Sequence, residues 1–375
     1  MAAKSNSYRL QYLDFLRGIA ALIMLQGHVF HSFLRNDLRT GGAYVYSQFV
    51  GGMPPAIFLF LTGVTLSFLM DSSERKGLSP WARVLATLRR SSYLFFLAFA
   101  FRLQMVVFSG GFPSQWQQLF RVDILNCMGF AIAVMSLVAL VGTTFQRFRF
   151  SAALGLAIAL ASPLVSQLDW SHLPSMLSSY IVPNYNFFSF FPWGAYLAFG
   201  VSAGSAIRLI KQEQIDRAME WAAVAGLAII MLCRYVDSLP YAIYSHSQFW
   251  LNSPLQVLIK LGVTLVLLAL AFAWTRYGAK DGWSFVQQLG TTSLLVYWVH
   301  IELVYGRWLS FFKNSLTVGQ TVLVALSIIT LMVALSVARS NFGRIKESVL
   351  SRWATLQTRL PIGKLCGGER SSVGI

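Results

Sequence analysis

The first apolar stretch of the chain carries four ionisable side chains: Asp14, Arg17, His28 and His31. A charge in the core of a bilayer is costly, so a charge that is kept there is a candidate for function. In an α-helix, the eleven residues from Arg17 to His28 make about three turns, roughly 16 Å, and place both side chains on nearly the same face. Asp14 lies one turn before Arg17, and we expect the two to form an ion pair that offsets the cost of burial.

An arginine and a histidine on one helix face are suited to acyl transfer. A neutral imidazole can take a proton from an attacking hydroxyl or amine near neutral pH. An arginine nearer the cytoplasm can hold the phosphates of a soluble acyl donor. A donor from one side would then meet an acceptor from the other side at His28. The alternative is a structural Asp14–Arg17 pair and a histidine bonded to a backbone carbonyl. His31, nearer the outer edge, is more typical of an interfacial residue.

Polar residues elsewhere could bind the acceptor. His300 and Glu302 lie toward the outer end of a later apolar stretch, where His300 would be a second catalytic group and Glu302 a substrate contact. Asp123 and Asn126 open the fourth apolar stretch and are further candidates for substrate binding. The outer loop 167–186 is rich in aromatic residues and has no Lys or Arg, which is typical of an interfacial aromatic belt or of a surface that contacts sugars.

Three arginines precede or open the third apolar stretch: Arg83, Arg89 and Arg90. They are predicted to bind donor phosphates, although cytoplasmic anchoring explains them about as well. The sequence has no P-loop or dinucleotide fingerprint and no cluster of residues with metal-ligand spacing, so no metal is expected. The three cysteines form no CxxC pair, which gives no indication of a disulfide framework.

These side chains need membrane helices to position them, because 56% of the residues are hydrophobic and only 12% are charged. Ten apolar stretches of spanning length are predicted, at 10–33, 46–70, 88–108, 121–142, 149–166, 187–207, 219–236, 255–275, 287–306 and 317–338. The fold class is therefore an all-α, polytopic integral membrane bundle. Residues 1–340 are expected to form the transmembrane domain and residues 341–375 a basic cytoplasmic tail.

The charge distribution predicts the orientation. With the N-terminus in the cytoplasm, 21 Lys and Arg residues fall on the cytoplasmic side and 6 on the other. This is a strong positive-inside bias, and with both termini inside the number of spans must be even. The formal charge of +16 therefore reports topology and does not indicate a nucleic-acid partner. The first stretch carries Asp14 and Arg17 and lacks a cleavage site, so we expect it to remain as a helix.

Several segments resemble a known family. Arg17 and His28 have the spacing of an arginine–histidine pair, within LDFLRG…GH, that is shared by the membrane acyltransferase superfamily. PPAIFLFLTGVTLSF, DILNCMGFAI, FFPWGAYLAFG and LGTTSLLVYWVH are similar to segments of its heparan-α-glucosaminide N-acetyltransferase branch, which is related to the acyltransferase-3 family. The resemblance runs from about residue 8 to about residue 310.

The resemblance implies acetyl-CoA as co-substrate and a saccharide or glycolipid as acceptor on the extracytoplasmic side. It places the catalytic role on His28, a supporting role on Arg17, and donor-phosphate binding on Arg89 and Arg90. His300 matches a histidine that recurs in the later segment. With the residue analysis, it predicts carbohydrate modification in a bacterial inner membrane, with direct transfer and a route through an acyl-histidine both open.

A proton-coupled transporter or flippase is the rival prediction. Intramembrane Asp, Arg and His side chains can relay protons. Pro54, Pro55 and Gly63 could interrupt the second apolar stretch around a substrate, as in many transporters. Against this reading, the second half of the sequence shows no matching interrupted stretch.

Overall fold

The computed structural model describes residues 2–108, 116–241, 243–278 and 282–342. These residues are almost entirely helical. They contain no β-strand beyond one isolated bridge between Leu34 and Leu316. The all-α prediction is confirmed. The basic tail lies almost entirely outside the described residues.

Thirteen α-helices are present in the described part of the chain. They are α1 (Ala2–Phe33), α2 (Gly42–Gly51), α3 (Pro54–Arg75), α4 (Pro80–Phe108), α5 (Ile124–Met135), α6 (Thr144–Val165), α7 (Ser175–Ile181), α8 (Phe190–Leu209), α9 (Ile215–Asp237), α10 (Pro254–Ala273), α11 (Phe285–Thr291), α12 (Ser293–Tyr305) and α13 (Val318–Ser340).

Seven helical segments of the described residues are long and apolar enough to cross a membrane. They are Gln11–Phe33, Tyr44–Arg75, Pro80–Phe108, Thr144–Val165, Gln212–Asp237, Pro254–Gly278 and Val318–Ser340. Each coincides with one of the ten predicted stretches. The stretch predicted at 149–166 is a helix that begins at Thr144, earlier than predicted. Thr143 caps this helix by accepting a hydrogen bond from the Gln146 amide.

The other three predicted stretches also contain helices. Two are short apolar segments, Ile124–Leu140 and Ser293–Tyr305, and the third is α8. Helix α8 is mostly buried between α3 and α6, and its small residues allow close packing. Ten membrane passes remain a prediction.

Two of the predicted stretches are interrupted. The second divides at Gly52 and Met53 into α2 and α3, and the ninth divides at Thr292 into α11 and α12. The expectation that the second half has no interrupted stretch is therefore wrong. At that break, the Thr292 hydroxyl hydrogen-bonds the Ser336 hydroxyl on α13 at 2.5 Å, a contact that no local pattern predicts.

The interruption of the second stretch falls directly before its two prolines, whereas Gly63 lies within a continuous helix. Pro54 and Pro55 begin α3, where a missing N–H costs little. Gly63 allows α3 to touch α8, since a Cβ there would lie 2.1 Å from the Leu197 carbonyl oxygen.

Helix α1 packs against α11 through glycine. A Cβ on Gly18 would lie 1.8 Å from the Val286 carbonyl oxygen, and one on Gly290 would lie 1.8 Å from that of Asp14. Helix α1 also contacts α12, where the Ser32 hydroxyl donates to the Val304 carbonyl at 3.0 Å. This packing fixes which α12 residues face the outer half of α1.

The connections gather at two ends of the bundle. The end where α1 terminates is called the outer end, after the predicted orientation. There the Arg35 amide donates to Leu316, and the Tyr185 hydroxyl lies 3.1 Å from the Gln248 amide oxygen. At the opposite, inner end, Glu74 pairs with the buried Arg147 at 2.6 Å, which joins α3 to α6.

Candidate active site

His28 and His300 form a hydrogen-bonded pair in the outer half of the bundle. The Nδ1 atom of His28 lies 2.8 Å from the Nε2 atom of His300, although the residues are 272 positions apart. The two rings are nearly coplanar, with 11° between their planes and 5.1 Å between centroids. His300 is fully buried and His28 is half-buried. The structure thus brings together the two histidines that the sequence analysis singled out.

The hydrogen bonds determine which ring nitrogen carries each proton. The Nδ1 atom of His300 lies 2.7 Å from the Val296 carbonyl oxygen, and a carbonyl can only accept. In the neutral pair His300 therefore donates from Nδ1 and accepts at Nε2, so His28 must donate from Nδ1. This assignment leaves the Nε2 lone pair of His28 available to take a proton. The structural alternative expected a histidine of the first helix to bond a backbone carbonyl, but His28 bonds His300, and it is His300 that bonds a carbonyl.

Asp14 and Arg17 form the predicted ion pair, with 2.7 Å between a carboxylate oxygen and Nη1. Both side chains keep about a quarter of their surface exposed, at 27% and 24%. Arg90 on α4 lies close enough to Arg17 for the two guanidinium groups to repel each other electrostatically. Its Nη2 atom donates to the Thr65 hydroxyl at 3.3 Å. Two neighbouring cations with one carboxylate leave a positive charge that an anionic ligand can neutralise.

The three predicted phosphate-binding arginines do not act together. Successive residues of an α-helix point about 100° apart, so Arg89 is exposed on the outside of α4 while Arg90 is half-buried. Arg83 is buried at the inner end, where its nearest carboxylate is Glu74 at 3.8 Å. Of these three arginines, Arg90 is the one that lies near Arg17, while Arg89 is exposed and Arg83 lies beside Glu74.

The carboxylate of Asp123 is engaged by the protein itself. It caps α5 by accepting from the amides of Leu125 at 3.0 Å and Asn126 at 3.2 Å, and it pairs with Arg102 at 3.1 Å. Arg102 lies within the third predicted apolar stretch, and Asp123 is the carboxylate that pairs with it. Asp123 thus has a structural role at the position predicted for substrate binding.

Asn126 is buried and joins the outer loop to the bundle. Its Nδ2 donates to the Tyr180 hydroxyl on α7 at 2.8 Å, and among the described residues its Oδ1 has no hydrogen-bond partner. Burial raises the pKa of Tyr180, which keeps its hydroxyl neutral. The Tyr180 ring packs on Phe130 with 5.7 Å between centroids. The unfilled acceptor on Asn126 is suited to a hydroxyl or N–H group of a ligand.

Tyr297 connects this polar cluster to the histidine pair. Its ring contacts His300 at a centroid distance of 5.9 Å and lies within electrostatic range of Asp123 and Arg102. Glu302 faces elsewhere, because two residues along the helix turn it about 200° away from His300, and it lies beside Trp308. The sequence analysis missed Tyr297, which the aromatic spacing around His300 could have indicated. It covered Tyr180 only as part of the aromatic outer loop 167–186.

Comparison with known families identifies the chain. A family model described as the catalytic region of heparan-alpha-glucosaminide N-acetyltransferase matches residues 9–244, more than half of the 375 residues. The chain belongs to this family. It is therefore an integral membrane protein of an acetyltransferase family, as its helices and the predicted resemblance indicate. A search of curated proteins found no match.

The family match covers part of the candidate site. It includes Arg17, His28, Arg90 and Asn126, but it ends before LGTTSLLVYWVH, so His300 lies beyond the matched residues. Among the described residues, no group of three or more His, Cys, Asp or Glu side chains could hold a metal ion. The expectation that no metal is needed remains a prediction.

Proposed function

We propose that this acetyltransferase-family protein moves an acetyl or similar short acyl group from cytoplasmic acyl-CoA to a hydroxyl or amino group of an extracytoplasmic saccharide or glycolipid, in a bacterial inner membrane. The observation that carries the proposal is the pairing of His28 with His300. Because His300 occupies Nδ1 of His28, the Nε2 atom is a preorganised general base.

In the proposed direct reaction, one histidine both removes and returns the proton that is transferred. Nε2 of His28 removes the proton from the acceptor hydroxyl or amine as its oxygen or nitrogen attacks the thioester carbonyl. A carbon–oxygen or carbon–nitrogen bond forms, the carbon–sulfur bond breaks, and His28 returns the proton to the leaving thiolate. His300 stabilises the imidazolium that forms in between, because it accepts the Nδ1–H bond. A route through an acyl-histidine would use the same nitrogen as the nucleophile.

Arg17 and Arg90 are suited to hold the donor phosphates. They lie on the inner side of His28, with Arg17 roughly 16 Å away along α1 at ~1.5 Å per residue. Asp14 fixes Arg17, and Thr65 fixes Arg90. This separation lets a soluble donor anchor its phosphates near the cytoplasm while a long thioester arm reaches the histidine.

On the acceptor side we propose Asn126 as the direct contact, because its buried Oδ1 is unfilled among the described residues. Asp123 would act by holding Arg102 and the start of α5. Glu302 remains a proposed substrate contact from the other face of α12, next to Trp308.

The test uses purified protein, radiolabelled acetyl-CoA and a panel of amino- and hydroxy-sugars. The expected result is acceptor-dependent transfer of label that His28→Ala lowers by about 10²–10⁴-fold. His246→Ala is the matched control, since His246 is exposed in the connection between α9 and α10, away from the loop 167–186. Transfer that persists in folded His28→Ala protein would overturn the proposed role of this residue, and absence of transfer to every acceptor would overturn the proposed reaction.

One observation favours the transporter alternative. Interrupted helices in both halves, at Gly52–Met53 and at Thr292, resemble the broken spans around which many transporters bind their substrates. Uptake of labelled sugar into proteoliposomes, without acyl transfer or acetyl-CoA hydrolysis, would support this alternative. Transfer without uptake would exclude it.

A further inference from the structure

Tyr305 connects the buried histidine pair to the outer end of the bundle. It is the last residue of α12, and its ring meets the His28 ring edge to face, with 5.4 Å between centroids and 68° between planes. Its hydroxyl lies 3.2 Å from Nδ1 of His31. His31 stands one turn beyond His28 on α1 and is exposed, whereas Tyr305 is half-buried. One aromatic side chain thus touches both the proposed base and a polar group at the surface.

Two hydrogen bonds hold the backbone at Tyr305. Lys313 donates from Nζ to the Tyr305 carbonyl oxygen at 2.9 Å, and Ser32 ties the neighbouring Val304 carbonyl to α1. The end of α12 is therefore fixed to α1 and to the following loop. The Tyr305 ring is supported by its edge-to-face contact with His28, so its hydroxyl can exchange His31 for a ligand without loss of that contact.

We infer that Tyr305 and His31 form an acceptor-binding subsite at the outer side of the proposed base. This inference rests on the proposed function. An aromatic ring with a polar tip presents an apolar surface together with a hydrogen-bonding group, the combination required by a pyranose ring with hydroxyl groups on its edge. The bond between Tyr305 and His31 prepares two hydrogen-bonding groups for an acceptor hydroxyl. The substrate class is a polar, ring-containing molecule that enters from the outer end.

The subsite also explains why the side chains differ in burial. The base must be shielded from water so that the thioester is not hydrolysed, and His28 is half-buried beneath the Tyr305 ring. The acceptor must be recruited from water, and His31 is exposed. Tyr305 spans the boundary between the two environments.

The test is steady-state kinetics with the acceptor that the wild-type protein uses best. Tyr305→Phe keeps the ring and removes the hydroxyl, so the acceptor KM is expected to rise about two- to twelvefold, as for the loss of one hydrogen bond, while the donor KM stays unchanged. Tyr305→Ala is expected to raise the acceptor KM further, since the ring is lost as well. His31→Gln, which keeps hydrogen-bonding capacity, is expected to raise it less than His31→Ala.

Matched controls lie in the connection between α9 and α10. Tyr244→Phe removes a hydroxyl that donates to the Leu160 carbonyl, and His246→Gln alters an exposed histidine, so both are expected to leave both KM values unchanged. An unchanged acceptor KM in Tyr305→Phe and Tyr305→Ala, or an equal rise in donor KM, would overturn the subsite while leaving the proposed reaction intact. If the wild-type protein transfers no acyl group, titration calorimetry of the sugar panel against wild type and Tyr305→Ala still decides, because equal binding or no binding overturns the subsite.

Discussion

At His28, one hydrogen bond selects the nitrogen that can accept a proton. His300 Nε2 accepts a hydrogen bond from the Nδ1–H group of His28. The Val296 carbonyl accepts one from His300 Nδ1, which sets the tautomer of His300. A histidine without that partner would divide between two tautomers and rotate more freely. We therefore expect the paired His28 to be a better general base than a lone imidazole in an apolar helix, because its tautomer and orientation are set in advance.

The role of His300 can be separated from simple packing. His300→Phe removes the acceptor and leaves the Nδ1–H of His28 unpaired, at a cost of about 1–3 kcal/mol. We expect kcat to fall about 10–100-fold, while His300→Gln, whose side-chain oxygen can accept that bond, retains more activity. Equal kcat in His300→Phe and wild type would contradict the role. Stability of each variant in detergent, measured by thermal unfolding, serves as the folding control.

Comparing substitutions of Arg90 and of its neighbour Arg89 tests the proposed donor site. Arg90→Ala is expected to raise the donor KM about tenfold or more, because a charge-assisted hydrogen bond contributes about 1.5–3 kcal/mol. Arg89→Ala removes the same charge from the exposed face of α4 and is expected to leave the donor KM unchanged. Donor titrations with both variants decide this, and equal effects would contradict the assignment.

At this scale the sequence predicted the individual groups better than their partners. Asp14–Arg17 is a contact within one helix, so helical spacing alone was sufficient. His28–His300 joins residues 272 positions apart, and Asn126–Tyr180 joins a helix to an outer loop. Such pairs depend on how helices pack, which no local pattern contains.

At the scale of elements, the crossing of α1 with α11 sets the register of the histidine pair. Gly18 and Gly290 let the two backbones touch, and ten residues further along the chain from each glycine lie His28 on α1 and His300 on α12. In a membrane, where lipid is as apolar as the protein, close glycine packing is a principal source of helix association.

Overpacking this crossing should disturb both fold and site. A Cβ at Gly290 would lie 1.8 Å from the Asp14 carbonyl oxygen, so Gly290→Ala is expected to lower the free energy of unfolding by about 1–3 kcal/mol and to reduce kcat. Gly319→Ala on α13 is the control, because its Cβ would meet nothing within 4 Å. Denaturant unfolding in detergent measures both variants. A Gly290→Ala protein as stable and active as Gly319→Ala would contradict the importance of the crossing.

The helices were predictable from apolar length, but their interruptions were only partly so. Pro54 marks the start of α3 in the sequence, as expected for a proline at a helix N-terminus. The break at Thr292 has no proline, and the nearest glycine, Gly290, lies two residues earlier inside α11. The break is supported by Ser336 on α13. A tertiary hydrogen bond there replaces the local signal that a sequence analysis can detect.

At the scale of the whole molecule, the membrane character and the all-helical fold follow from composition. The number of passes and the orientation rest on the charge count, with 21 basic residues on one predicted side and 6 on the other. Residues at the predicted cytoplasmic ends of the helices contact one another at one end of the bundle, as in the pairs Arg147–Glu74 and Arg208–Asp71. Helix α8 is not among the seven apolar segments, and the prediction that it crosses the membrane rests on its burial between α3 and α6.

Orientation can be tested with single cysteines. In a protein whose native cysteines are replaced, Ser171→Cys in the outer loop should react with a membrane-impermeant maleimide in intact cells. Lys76→Cys, at the turn after α3, should react only after permeabilisation. The opposite labelling pattern would reverse the topology and place the proposed donor site on the wrong side.

The most direct test of the central claim is a double-mutant cycle on kcat between His28 and His300, with labelled acetyl transfer as the readout. If the two histidines act as one unit, His28→Ala with His300→Phe should be no slower than His28→Ala alone, because the partner has nothing left to position. If the losses of the two single variants multiply in the double variant, the histidines act independently and the account of His28 as a base prepared by His300 is contradicted.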